Sequence, residues 1–170
     1  MPEISLRTFT EEEYHRFFRG YVPDPLMDST PFTYSREQIS RSYAYNHHGY
    51  RNDYEHFGVF LGNRPVGSFQ LKRINPEQKR CEFGIILQND AVKNRGIGSE
   101  AIRLGMRIAR EKYRIEQIIG DTMGRNKPMI HVFEKLGFRL TERIPAAFQV
   151  AEGRYEDRLV YMKNLTEDEP

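Results

Sequence analysis

The chain has 170 residues, enough for one domain that buries roughly two-thirds of the surface its unfolded form exposes. Its 26 lysines and arginines against 24 acids leave a net charge of +2. That excess is too small for a nucleic-acid binder that works by neutralising phosphates, though a few placed cations would serve a small polyphosphate ligand. The single cysteine, Cys81, excludes an intrachain disulfide and a zinc site built on thiolates; it lies in an apolar run and reads as a buried small residue. No stretch approaches 18 apolar residues and the N-terminus lacks an apolar signal segment, so a cytoplasmic protein without nucleic-acid or membrane partners is expected.

Ile4-Ser5-Leu6 alternates like an edge strand. Thr10 with Glu13 predicts a capping box for a helix ending near Gly20, and Ser35 with Gln38 a second capped helix running toward Gly49. Pro23, Pro25 and Pro31 enforce an irregular loop between them. His56 to Leu61 and Val66 to Ile74 read as a hairpin about Gly62-Asn63-Arg64-Pro65, followed by a third strand from Cys81 to Leu87. A helix follows from Gly96 to about Tyr113, with Ile97, Ala101, Leu104 and Ile108 as its buried stripe and Arg103, Arg107 and Arg110 in solvent. Glu116 to Thr122 is a strand and Asn126 to Leu136 a short helix closed by Gly137. Phe138 to Ile144 and Asp157 to Met162 end the fold as strands turning near Gly153. The order β-α-α-β-β-β-α-β-α-β-β predicts one α+β domain over residues 1–165, with 166–170 a frayed acidic tail.

Gly96 and Gly98 stand where the long helix begins. Without side chains they let the backbone approach an anion, and the first helical N–H groups together with the macrodipole suit a pyrophosphate. Lys93 and Arg95 add positive charge nearby. The same residues formally fit the dinucleotide pattern G-x-G-x-x-A, with Glu116 twenty residues past Gly96. Against that reading, the polar stretch Gln88–Arg95 separates strand from glycine, the preceding strands read as an antiparallel run rather than the start of a βαβ unit, and Glu116 begins a strand instead of ending one.

Three segments in order resemble the GCN5-related N-acetyltransferases (GNAT). Lys93-Asn94-Arg95-Gly96-Ile97-Gly98 resembles the family's Gln/Arg-x-x-Gly-x-Gly/Ala signature, with Lys in the first place. Asn126 followed by Lys135-Leu136-Gly137-Phe138 is similar to its second signature, and Cys81–Leu87 resembles its fourth strand. The terminal strands resemble the branch of ribosomal-protein N-terminal and spermidine acetyltransferases. The resemblance implies a mixed, mainly antiparallel twisted sheet of about seven strands flanked by about four helices, and acetyl-CoA as acetyl donor. It implies that backbone groups of Ile85, Ile86 and Leu87 hold pantetheine where two strands splay. It further implies that Lys93, Asn94, Arg95, Gly96, Ile97, Gly98 and Ser99 hold the pyrophosphate through their backbone. Asn126 and Phe133 would contact the pantetheine region and Lys135 the 3′-phosphate; no metal is implied.

Acetyl transfer requires a neutral amine, and an alkyl amine titrates near 10. Glu82 is the candidate general base, acting through water because family members often carry a carboxylate there; the competing reading has it position a cationic acceptor or pair with Arg80. Phe133 occupies the place where the family commonly has a tyrosine that protonates the leaving thiolate. Tyr155, Tyr161 or water are the replacements, and the alternative is an acyl-CoA-binding protein with weakened catalysis. The acceptor is expected to be a primary amine, of a protein N-terminus or a small amine or polyamine, selected by Asp24, Asp28, Phe32, Tyr34, Glu37, Phe148 and Tyr155. His47-His48 reads as loop and helix surface rather than a metal site. A homodimer is compatible with the resemblance, and the sequence leaves the oligomeric state open.

Overall fold

The computed structural model of the chain describes residues 3–28, 30–49 and 51–165. The tail 166–170 lies outside the described residues. Strands β1 (Ile4–Arg7), β2 (Glu55–Leu61), β3 (Arg64–Asn75), β4 (Arg80–Leu87), β5 (Gln117–Met123), β6 (Arg139–Ala151) and β7 (Arg154–Asn164) form one sheet in the order β1-β2-β3-β4-β5-β7-β6. Only β4 and β5 run parallel. Helices α1 (Glu11–Arg19), α2 (Arg36–His47), α3 (Ile97–Tyr113) and α4 (Lys127–Lys135) complete the expected order, with an additional 3-10 turn at Asp90–Val92. The α+β architecture and the mainly antiparallel sheet agree with expectation. The final hairpin is longer than its apolar residues suggest, because β6 is an exposed edge whose backbone pairing does not depend on burial.

Local chemistry explains the helix starts. The Thr10 hydroxyl accepts from the Glu13 N–H at 3.2 Å while the Glu13 carboxylate accepts from the Thr10 N–H at 2.9 Å, a complete capping box. Arg7 clamps the same carboxylate at 2.7 and 2.9 Å and holds Glu13 down to about 2. The Ser35 hydroxyl accepts from the Gln38 N–H at the start of α2. One face of the sheet carries a core of Phe9, Tyr14, Phe17, Ile39 and Phe60 from the α1 and α2 side. The other face packs Phe69, Leu71, Cys81, Phe83, Ile102 and Phe133 beneath α3 and α4. Cys81 is buried as expected, which pushes its thiol up to about 12.

The buried face of α3 differs from the expected stripe. Ile97 and Ala101 are buried, but Ile102, Gly105, Met106 and Ala109 join them, whereas Leu104 and Ile108 are only half-buried. A Cβ at Gly105 would stand 2.2 Å from Cζ of Phe69. The helix is therefore seated through its small residues, a choice made by volume across the interface rather than by hydropathy. His47 also departs from the expected surface position. Its ring stacks on Tyr43 at 4.3 Å and lies 5.0 Å from that of His56, which is 4 % exposed and bonded to the Ser68 hydroxyl at 2.5 Å.

Candidate active site

Pairing between β4 and β5 ends early. Arg80, Cys81 and Glu82 align with Gln117, Ile118 and Ile119, while β4 stays in register with β3 as far as Leu87 opposite Gly67. Beyond Glu82 the two strands diverge, and β5 remains paired with β7 through Met123. Below the divergence the rings of Phe83 and Phe133 close over Gly120, where a Cβ would approach them to 2.5 and 2.8 Å. The Gln88 N–H donates to the Val66 carbonyl, and the Ile86 carbonyl lies 3.0 Å from where a Cβ on Gly67 would stand. Residues 84, 86 and 88 thus turn their backbone toward β3. By strand alternation Ile85 and Leu87 present theirs to the opening. Ile86, also expected among the pantetheine-binding residues, lies opposite Ser68 in the β3 ladder, and its side chain faces the α1 side.

At the top of this opening α3 begins. Gly96 is its N-cap at φ +77°, with no atom within 4 Å of a would-be Cβ. Asn94 is also left-handed at φ +59° and exposed. The first helical bond runs from the Glu100 N–H to the Gly96 carbonyl at 3.1 Å. The N–H groups of Ile97, Gly98 and Ser99 therefore precede it, and no side chain caps them. The other three helices each have a side-chain cap: Thr10, Ser35 and Asn126. An uncapped, glycine-flanked start with the positive dipole end outward is suited to a phosphate. Arg95 is exposed and makes no ion pair among the described residues. Lys93 departs from its expected part. Its ammonium is held by Asp90 at 3.0 Å and Asp24 at 3.3 Å, so its charge is largely neutralised within the protein. Burial lowers its affinity for a proton, but the two carboxylates outweigh that and hold it above the ordinary lysine value.

Helix α4 starts at Asn126, whose Oδ1 accepts from the Met129 N–H at 3.3 Å and whose Nδ2 donates to Thr122 Oγ1 at 3.0 Å. Both ends of this buried amide are thus used in capping α4 and joining it to β5. The helix closes in a Schellman motif: the Phe138 N–H donates to the Phe133 carbonyl at 2.9 Å and the Gly137 N–H to that of Glu134 at 3.1 Å, with Gly137 at φ +82°. That is the physical content of Lys-Leu-Gly-Phe. Lys135 is exposed. Phe133, expected to touch the cofactor, is fully buried: its ring stacks on Tyr161 at 4.5 Å and meets Phe83 and Phe138. It is a core residue, because the aromatic cluster leaves it no accessible surface.

Glu82 projects from the last paired position of β4 onto the α1 side of the sheet, opposite to Cys81 and Phe83. Its carboxylate is 18 % exposed and bonded to Arg73 at 3.1 Å; Arg73 itself is 76 % exposed and left-handed at φ +50°. The expected partner Arg80 instead donates to Gln117. One step along, Gly84 leaves space bounded by Gln70 and Lys72. Nothing in the sequence signalled Arg73, since a bulge between Lys72 and Asn75 turns it toward Glu82. Tyr161 is buried and held above the ordinary phenol value mainly by that burial, and Tyr155 is 55 % exposed on the last hairpin. Of the expected acceptor residues, Asp24 is engaged by Lys93, Glu37 pairs with Arg41, Phe32 packs on Phe18 and Tyr21, and the Tyr34 hydroxyl bonds His15 Nδ1 at 2.7 Å. A cleft of about 770 Å³ is lined in part by Gln88 and Asn89, just past the end of β4, but by none of the candidate residues.

The chain matches the acetyltransferase (GNAT) domain family over residues 3–139. It belongs to the GNAT family. A Vibrio cholerae spermidine N-acetyltransferase SpeG chimera with hSSAT superposes with a TM-score of 0.83 at 19 % identity, over 96 % of both chains. SpeG from Vibrio cholerae in complex with CoA and spermine gives 0.81 at 19 % identity, again over 96 % of both. RimL, a ribosomal L7/L12 α-N-protein acetyltransferase in complex with CoA, gives 0.80 at 18 % identity over 95 % of this chain and 93 % of that one. No curated protein sequence matches significantly. This GNAT protein is accordingly an N-acetyltransferase that moves an acetyl group from acetyl-CoA to an amine.

The geometry fits that donor. The free edge at Ile85 and Leu87 suits the amide-bearing pantetheine arm, and the uncapped start of α3 suits the pyrophosphate. The dinucleotide reading loses one of its counter-arguments, because β4-α3-β5 is a parallel crossover. Its other difficulties stand: residues 88–95, which include the 3-10 turn, separate strand from helix, and Glu116 pairs with Lys79 at the start of β5.

Proposed function

We propose that this acetyltransferase acts on a cationic primary amine, either a polyamine or a peptide α-amine, received on the α1 side of the sheet beside Glu82. The observation that carries the reading is the Glu82 carboxylate itself. It stands where β4 and β5 part, partly exposed, with a solvent-exposed guanidinium as its counter-ion. A cationic acceptor can replace Arg73 there, since ion pairs with an exposed partner are held by about 1 kcal/mol or less. Glu82 then draws the ammonium proton through water as general base. Backbone groups of Ile85 and Leu87 orient the pantetheine arm, and the Gly96–Ser99 backbone holds the pyrophosphate, with Lys135 reaching the 3′-phosphate. Acetyl-CoA supplies an activated thioester. The leaving thiol, with a pKa of about 8.5, departs with a proton from water or from Tyr161.

Thiol release from acetyl-CoA across polyamines, alkyl amines and peptides with free or blocked α-amines tests the proposal. Turnover confined to cationic primary amines supports it, and turnover of none contradicts it. The enclosed phenylalanine at 133 favours, as a second reading, a protein that binds acyl-CoA and turns over slowly; tight CoA binding without thiol release would select it. Cytoplasmic residence and a homodimer belong to the same proposal, and light scattering in solution tests the latter.

A further inference from the structure

The segment Val22–Asp28, between α1 and α2, touches both lips of the opening between β4 and β5. On the β4 lip, the Val22 N–H donates to the Gln88 carbonyl at 2.8 Å, and Asp24 pairs with Lys93 at 3.3 Å. Just before it, Gln88 Nε2 and Asn89 Nδ2 donate to the carbonyls of Phe17 and Gly20 at the end of α1. On the β5 lip, Arg125 donates from Nε to the Leu26 carbonyl at 3.1 Å and from Nη2 to the Pro25 carbonyl at 3.0 Å. Thr122 Oγ1, itself bonded by Asn126, donates to Met27 Sδ at 3.2 Å. Asp24 organises the segment internally: its Oδ1 accepts from the Leu26 N–H, and its carbonyl from the N–H groups of Met27 and Asp28.

We infer that Val22–Asp28 is a strap across the cofactor cleft and that Arg125 is a positioning residue for the acceptor. This rests on the reading of the acceptor side given above. The strap is tied to the β4 lip by a charge pair and to the β5 lip by a guanidinium gripping two consecutive carbonyls. An arginine suits the second tie because its planar fork reaches two acceptors at once. Both ties end on segments that also build the cofactor site: Lys93 precedes the start of α3, and Arg125 immediately precedes the cap of α4. The acceptor therefore meets a wall whose position is set by the cofactor-binding lips. Losing the Arg125 tie releases the wall without removing any group that holds the cofactor.

Three variants test this: Arg125→Ala, Arg125→Lys and Asp24→Asn. In the ligand-free protein, Arg125→Ala should raise hydrogen exchange at the Leu26, Met27 and Asp28 amides about tenfold, with β3 and β4 amides unchanged. With spermidine and a free α-amine peptide as probes, its acceptor KM should rise about tenfold. Its affinity for CoA, measured by calorimetry, should stay within about twofold. Arg125→Lys, able to reach one carbonyl, should recover part of the loss. Asp24→Asn keeps the turn but loses the charge pair, and should abolish the salt dependence of exchange at these amides. Unchanged exchange in Arg125→Ala, or a fall in CoA affinity equal to the rise in acceptor KM, would overturn the inference. A wild-type protein that acetylates neither probe removes the acceptor reading, while the exchange experiment still decides whether Arg125 holds the strap.

Discussion

Acidification below neutral pH should weaken the α1–α2 side of the molecule, and His56 is the reason. Its ring is 4 % exposed among Phe9, Tyr14, His47 and Tyr54, and its Nδ1 has no partner among the described residues. Burial, with His47 adding to it, lowers His56 to about 3. An unfolded histidine titrates near 6.5. Between these values the unfolded chain binds a proton that the native one refuses, so stability rises with pH across that window and falls as pH drops below about 6.5. For these two values the loss between neutral pH and pH 5.0 is about 2 kcal/mol from His56 alone. His47, also lowered by burial, acts in the same direction. Glu13 does not interfere, because its stability contribution is lost only as pH falls from the usual carboxylate range toward about 2. The assay is urea unfolding at pH 7.5 and 5.0, comparing the wild type with His56→Gln, which keeps a partner for Ser68. The wild type should lose about 2 kcal/mol more than the variant. Parallel losses in the two proteins would refute the assignment.

The remaining predictions concern catalysis and packing. Glu82→Gln should lower kcat/KM for the amine by about 10²-fold or more while CoA affinity measured by calorimetry stays within about twofold; a comparable fall in that affinity would remove Glu82 as base. Gly105→Val places a branched side chain where a Cβ alone would lie 2.2 Å from the Phe69 ring. It should cost about 1–3 kcal/mol, read from the urea midpoint, and an unchanged midpoint would show that α3 can move off the sheet. Phe133→Tyr adds a hydroxyl to an enclosed ring, so stability should fall by about 1–3 kcal/mol with no gain in kcat. A tenfold rise in kcat would instead show that the ring edge reaches the sulfur and that a missing proton donor limits the wild type.

Much of the fold was legible because its signals are local. Thr10 with Glu13, Ser35 with Gln38, and Asn126 each announce a helix within three or four residues, and each cap is present. Gly96 and Gly137 mark left-handed positions that other residues adopt only at a cost, and both sit at helix ends. The glycine-flanked start of α3 was legible for the same reason. The acceptor side was not, since it depends on pairs remote in sequence: Arg125 with Pro25, Lys93 with Asp24, and a bulge that turns Arg73 onto Glu82.

The amino-acid sequence by itself determined the order of elements, the glycine-flanked start of α3 and the Schellman close of α4, since backbone preference and capping act within one turn of chain. Only the tertiary structure decided where β4 leaves β5, and therefore that Ile85 and Leu87, not Ile86, face the opening. It also decided that Lys93 is neutralised, that α3 is seated on Gly105, and that Phe133 belongs to the core. Those outcomes follow from the volumes and charges of distant residues brought into contact, which no local pattern encodes.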